Sequence, residues 1–179
     1  MKPSMFFKKV KRRIFGGVPG VDELREMGVK IGENCVIYGR IDTGHPYLVS
    51  IGNNVTISSA LLLTHDASTK HITGYSKIGR IDIGDNVFIG ANATILPNVK
   101  IGNKVIIGAG NIVTKDIPDN SLVVGNPARV IGTYDDYAKK SKENMNVFPT
   151  WNTPNNKKTQ KEINEIIETL KDGGYGYDD

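Results

Sequence analysis

Three histidines, His45, His65 and His71, are the side chains here best suited to moving protons near neutral pH. His65 stands in LLLTHDAS, beside Asp66, where a regular pattern breaks. A neutral imidazole there could take a proton from a hydroxyl, or it could simply bond its own backbone. Other chemistries lack their signatures. No Cys/His cluster has zinc spacing. No phosphate loop, dinucleotide fingerprint or Gly-x-Ser-x-Gly elbow is present, and GNIVTK is not a phosphate loop. What remains is a metal-free site built around a histidine.

The element that must position it is a repeat. Ile83, Ile89, Ile95, Ile101, Ile107 and Val113 recur every sixth residue, through IGDNVF, IGANAT, ILPNVK, IGNKVI, IGAGNI and VTKDIP. Six is neither a helix nor a coiled-coil period. It suits a three-faced solenoid in which each hexad is one short strand plus a turn and three hexads close a coil. The leading aliphatic is expected inside, with a small or β-branched fifth residue (Val87, Ala93, Val99, Val105) beside it. Gly at the second position and Asn at the fourth are both expected to supply the backbone angles of a corner. Coils should stack as parallel strands about 4.8 Å apart.

The repeats begin near Val29 with IGENCV and IYGRID. Ile31 to Ile51 spans 20 residues, which predicts a bulge at the third corner around Gly44, His45 and Pro46. IGNNVT and ISSALL follow. With Leu63 taken as the next leading residue, Leu63 to Ile83 is a modest corner extension of the same kind. Both irregular segments carry His and should lie on one corner of the prism. The domain division is 1–28, an N-terminal helical segment; 29–132, the β-helix; and 133–179, a C-terminal helical extension and tail. In the first segment Asp22 is the expected cap of a short helix. In the last, residues 134–143 read as helix, and Thr159 and Glu162 form a capping box. Ile163, Ile166, Ile167 and Leu170 give an amphipathic stripe. The final DGGYGYDD reads as a mobile tail. A segment after Val130 should cap the solenoid against edge pairing.

Composition narrows the partners. The net charge of +4 is mild, and no aromatic-interleaved basic motif accompanies it, so nucleic acid is not an expected partner. A single cysteine, Cys35, excludes an internal disulfide and fits a reducing, cytoplasmic setting; it is expected as a small buried hydrophobe. The basic start, with Met5, Phe6, Phe7, Val10 and Phe15 among Lys and Arg, lacks the long apolar run of a signal peptide. It reads as a solvated helix on the solenoid end in preference to a membrane-surface helix.

These motifs resemble the hexapeptide-repeat acyltransferases, in the branch of galactoside, maltose, surface-polysaccharide and xenobiotic acetyltransferases. The match covers about residues 29–132. It is carried by Thr64–His65, IGDNVFIGANATILPNVKIG and IIGAGNIVTKDIPDNSLVVGNPARVIG, most specifically by GAGN, VTKDIP and GNPAR in that order. The resemblance implies a mainly β fold, a left-handed parallel β-helix of hexapeptide repeats with short N-terminal helices and a C-terminal helix, and a homotrimer. It implies acetyl-CoA as co-substrate, no metal, and His65 as the general base toward an acceptor hydroxyl. Ala91, Gly108, Ala109, Thr114, Lys115 and Arg129 match the cofactor groove. Tyr38, Asp42, His45, Tyr47 and Asp66 are expected around the acceptor, although His45 and Asp42 could equally shape the bulge. His71 is expected to flank the cleft. Phe88 stands where many sugar enzymes have Trp, Gly132 where they have a second basic residue, and Asp66 where they have Pro. The resemblance implies as acceptor a hydroxyl of a sugar, surface polysaccharide or related small molecule. The alternatives are an amino-sugar amine, or a non-catalytic scaffold, which the intact VTKDIP and GNPAR segments disfavour.

Overall fold

A computed structural model describes residues 18–179. The expected basic helix at the start lies outside them. The chain forms two compact units, one ending at Tyr134 and the other Asp135–Asp179.

The hexads form three parallel sheets. The first face stacks Lys30–Ile31, Val49–Ile51, Ile81–Ile83 and Val99–Ile101. The second stacks Val36–Ile37, Thr56–Ile57, Val87–Ile89, Val105–Ile107 and Ser121–Val124, and the third Arg40–Ile41, Leu61–Leu62, Thr94–Ile95 and Ile112–Val113. Ile83, Ile89, Ile95, Ile101, Ile107 and Val113 are all buried, as are Val87, Ala93, Val99 and Val105. Each buried Val, Leu or Ile contributes roughly 1.5–3 kcal/mol of transfer free energy, from strands only two to four residues long.

Second and fourth hexad positions do different jobs. Asn34, Asn54, Asn86, Asn92, Asn98 and Lys104 have positive φ. The second-position glycines do not; they are small because coils touch there. A Cβ on Gly84 would lie 2.8 Å from the Gly102 carbonyl carbon, and one on Gly90 2.6 Å from the Ala109 nitrogen. The corner between the first and second faces is regular. Asn53, Asp85, Asn103 and Asp119 each accept a backbone N–H from the adjacent coil at 2.7–2.9 Å, and Asn34, Asn54 and Asn86 form a second ladder.

The corner between the third and first faces is irregular. Glu33 meets Asn53 after 20 residues, Asn53 meets Asp85 after 32, and Asp85 meets Asn103 after 18. The first excess is the expected bulge, built as a helical turn at Pro46–Leu48. The second, 14 residues more than a regular coil of 18, is far larger than the modest extension expected: Leu62 and Ile83 lead successive hexads, six residues apart when regular, yet stand 21 apart, and the leading residue is Leu62, not Leu63. Leu62 is fully buried and pairs with Ile41 and Ile95. The repeat through Ser59, at positive φ, and buried Ala60 is one residue short. A run of three leucines hides this slip, because any of them satisfies the apolar pattern. The chain between Leu62 and Ile81 leaves the prism as an antiparallel pair, His65–Asp66 with Lys77–Ile78, closed by the helical turn Lys70–Thr73.

Gly20, not Asp22, occupies the cap of the helix Val21–Glu26. Leu24 from that helix joins the core cluster, and Cys35 is half-buried against it. At the far end Arg129–Gly132 pairs antiparallel with Ser121–Val124, which closes the second sheet. In the other unit Tyr134–Met145 and Gln160–Leu170 are helical, and Thr159 and Glu162 form the expected capping box. The tail is paired rather than loose: Tyr177–Asp178 lies beside Thr150–Trp151, and Asp178 bonds Lys158 at 2.7 Å. Its glycines let it approach, since a Cβ on Gly176 would meet the Pro149 carbonyl at 2.9 Å.

Candidate active site

The irregular corner gathers Asp42, His45, Thr64 and His65. Pairing of Ile41 with Leu62 sets Asp42 beside the residues that follow Leu62. The backbone N–H of Asp42 bonds the Leu62 carbonyl at 2.9 Å.

Asp42 is the hub. Its Oδ2 accepts the Thr64 hydroxyl at 2.7 Å, the Thr64 N–H at 3.3 Å, and the Nδ1 of His65. Its Oδ1 accepts the Gly44 N–H at 2.9 Å. The Asp42 side chain is 8% exposed and that of His65 37%. Burial alone would raise the Asp42 pKa. The hydrogen bonds from Thr64, Gly44 and His65, with the attraction of the imidazole, outweigh burial and hold it down at about 2. Asp42 is therefore a carboxylate with no proton to give. His65 Nδ1 must carry the hydrogen between them, which leaves Nε2 of the neutral ring as a bare lone pair. That arrangement can accept a proton from a hydroxyl.

Both Asp42 oxygens are met by the chain, which ties this carboxylate to Gly44, Thr64 and His65. Thr64, fully buried, was not singled out as a site residue. Its only sequence signal is its place before His65, at the same corner as Asp42 one coil earlier. Asp66 is exposed and turns its Oδ1 onto the Ser68 N–H at 2.8 Å, so it shapes the excursion.

His45 lies beside His65, ring centroids 5.8 Å apart. Tyr47 meets His45 edge-on at 6.0 Å and is otherwise exposed. His71 sits exposed on the excursion's helical turn. Tyr38 is not with them. Its N–H bonds the Ile57 carbonyl, which stacks it with Ser58, Gly90 and Gly108 on the corner between the second and third faces. Ala91, Gly108 and Ala109 belong to that corner too, and Gly110 N–H bonds the Ala91 carbonyl at 2.8 Å. Thr114 and Lys115, both exposed, follow the last strand of the third face and share the corner of His65. Exposed Arg129 begins the final strand, just after Ala128, whose N–H bonds the Ile112 carbonyl at 2.9 Å. The expected cofactor residues thus divide between two edges of the third face.

Comparison with known proteins follows the same lines. The bacterial transferase hexapeptide description, of six repeats, matches residues 80–115. The chain is 41% identical over 149 residues to Protein CapG of Staphylococcus aureus, covering 79% of this chain and 84% of that protein. Of further relatives named as acetyltransferases, the chain spans 58% of one from Bacillus subtilis and 37% of several from Staphylococcus aureus. Among solved structures, a maltose O-acetyltransferase from Clostridium difficile is 31% identical with a TM-score of 0.51, over 72% of this chain and 84% of that one. A hexapeptide-repeat acetyltransferase from Vibrio cholerae, crystallised with acetyl-CoA, is 29% identical with a TM-score of 0.50, over 60% and 61%.

Proposed function

This chain belongs to the bacterial hexapeptide-repeat transferase family and is an acyltransferase, and from that premise we propose that it carries an acetyl group from acetyl-CoA to a hydroxyl of a sugar or surface polysaccharide, with His65 as general base. The observation that carries this reading is the pairing of His65 Nδ1 with the carboxylate of Asp42, a contact that in the neutral ring puts the lone pair on Nε2.

Nε2 takes the acceptor proton as the acceptor oxygen attacks the thioester carbonyl. The tetrahedral oxyanion, met by a backbone N–H, collapses and expels the thiolate. The imidazolium returns its proton to that sulfur, so free coenzyme A and the ester leave together. Asp42 holds the ring in one tautomer and stabilises its positive charge between the two transfers.

Acetyl-CoA suits the residues assigned to it. Gly108 and exposed Ala109 are small, so the pantetheine arm can come close to backbone there. Lys115 and Arg129 are exposed cations suited to its phosphates. Because Ala91, Gly108 and Ala109 lie on a different corner from His65, the reading includes a homotrimer, in which the corner of one copy faces the base of the next across a shared groove. It also includes a left-handed wind. Sugar hydroxyls fit the aromatic Tyr47 and the imidazole of His45 beside the base.

The test is thiol release from acetyl-CoA against a panel of sugars, polysaccharides and amino sugars. Ester formation that depends on His65 supports the proposal. Amide formation that falls only a few-fold in His65→Ala would move it to an amine acceptor, because a free amine needs less help from a base.

A further inference from the structure

We propose that Asp42, His45 and His65 form a site for a divalent transition-metal ion of the zinc class, and that occupancy withdraws the His65 imidazole from proton transfer. Among the described residues these three are the one group whose carboxylate and imidazole atoms converge, each offering one ligand atom within 4.8 Å of the others. A second observation points the same way. The Nδ1 of His45 is buried and has no hydrogen-bond partner in the described chain. Such an atom is costly to leave unmet.

The donor set selects the ion. Two imidazole nitrogens with one carboxylate oxygen suit Zn²⁺, Co²⁺ or Ni²⁺, whereas Mg²⁺ and Ca²⁺ take oxygen shells. Zinc holds nitrogen at about 2.0–2.1 Å, so ligand atoms around a tetrahedral ion lie roughly 3.3 Å apart. Ligation asks the imidazoles to rotate, since His65 Nδ1 now sits in hydrogen-bond contact with Asp42 while the three ligand atoms lie within 4.8 Å of one another. Metal and proton compete for the same lone pairs. An ion on the ring therefore replaces the Asp42–His65 hydrogen bond and stops His65 from cycling its proton. Binding does not require His65 to be the base; only the braking effect rests on the function proposed above.

Cobalt decides the matter without turnover. Co²⁺ titrated into the purified full chain should give visible absorption bands that saturate at one ion per chain, and Zn²⁺ should bleach them. His45→Ala and the milder His45→Gln should each weaken binding at least about tenfold, the scale on which even outer-shell partners act, while His71→Ala leaves it unchanged. Zn²⁺ should slow thiol release in the wild type, and higher concentrations should be needed in His45→Ala. The site is refuted by absence of the bands, by bands that survive both His45 variants, or by a near-ultraviolet thiolate band lost in Cys35→Ser. Metal bound at these ligands with turnover undiminished refutes the braking role. A chain that turns over no acceptor at all still returns a cobalt spectrum, so failure of this site and failure of the proposed activity are read separately.

Discussion

His65 gives the hydrogen on Nδ1 to Asp42, a residue 23 positions earlier in the chain and one coil away on the same corner. Neither residue is placed by its own neighbours alone. The pairing exists because Ile41 and Leu62 stack in register on the third face.

Removal of the base should abolish transfer without harming the fold. His65→Ala is expected to lower the rate of thiol release about 100- to 10,000-fold, the usual span for a positioned acid–base group. The ring lies outside the aliphatic core, so the variant should stay folded by circular dichroism, with stability falling only by the lost bond to Asp42. Full turnover in this variant would remove His65 from the mechanism.

Thr64 should act through Asp42. Thr64→Val keeps the shape and deletes the hydroxyl that donates to Asp42 Oδ2 at 2.7 Å. It should lower kcat about tenfold while KM for acetyl-CoA stays unchanged, and Thr64→Ser should restore most of the rate. An equal loss in both variants, or a change confined to KM, would make Thr64 a packing residue only.

Asp42 should leave a mark on acid stability. Its folded pKa is about 2 against an ordinary 3.8. Because the folded value is the lower one, the stabilisation is complete above about pH 3.8 and disappears as pH falls through about 2. The shift corresponds to about 2 kcal/mol. Urea unfolding at pH 5 and pH 2.5 should show the wild type losing more stability than Asp42→Asn over that interval. Parallel losses would mean that the carboxylate is not held as described.

Glycines at coil contacts should be intolerant where those elsewhere are not. In Gly84→Ala the new methyl would lie 2.8 Å from both the Gly102 carbonyl carbon and its oxygen, backbone that cannot rotate away. A cost of about 1–3 kcal/mol is expected from such crowding. Gly132→Ala meets only the Leu122 side chain at 3.9 Å and should stay within about 0.5 kcal/mol of wild type. Thermal melts of the two variants compare them directly.

Much of this molecule was legible in one dimension. A six-residue period forces every leading aliphatic inward, because a short strand and a corner repeat the same geometry at each step. Buried Ile83, Ile89, Ile95, Ile101, Ile107 and Val113 follow from that local rule. So does the gathering of His45 and His65 on one corner, since both irregular segments join the third face to the first. Where the rule is locally degenerate, it stops. Leu61, Leu62 and Leu63 satisfy the apolar position equally, and only stacking on Ile41 and Ile95 selects Leu62. That one-residue choice decides that Thr64 and His65 both meet Asp42. Likewise Tyr38 lies near Asp42 in the chain but turns off one corner earlier, away from the base. The repeat and its candidate histidine are properties of the amino-acid order; which carboxylate serves that histidine, and which edge each groove residue occupies, come from contacts between coils, where registers 20, 32 and 18 residues long must close on one another.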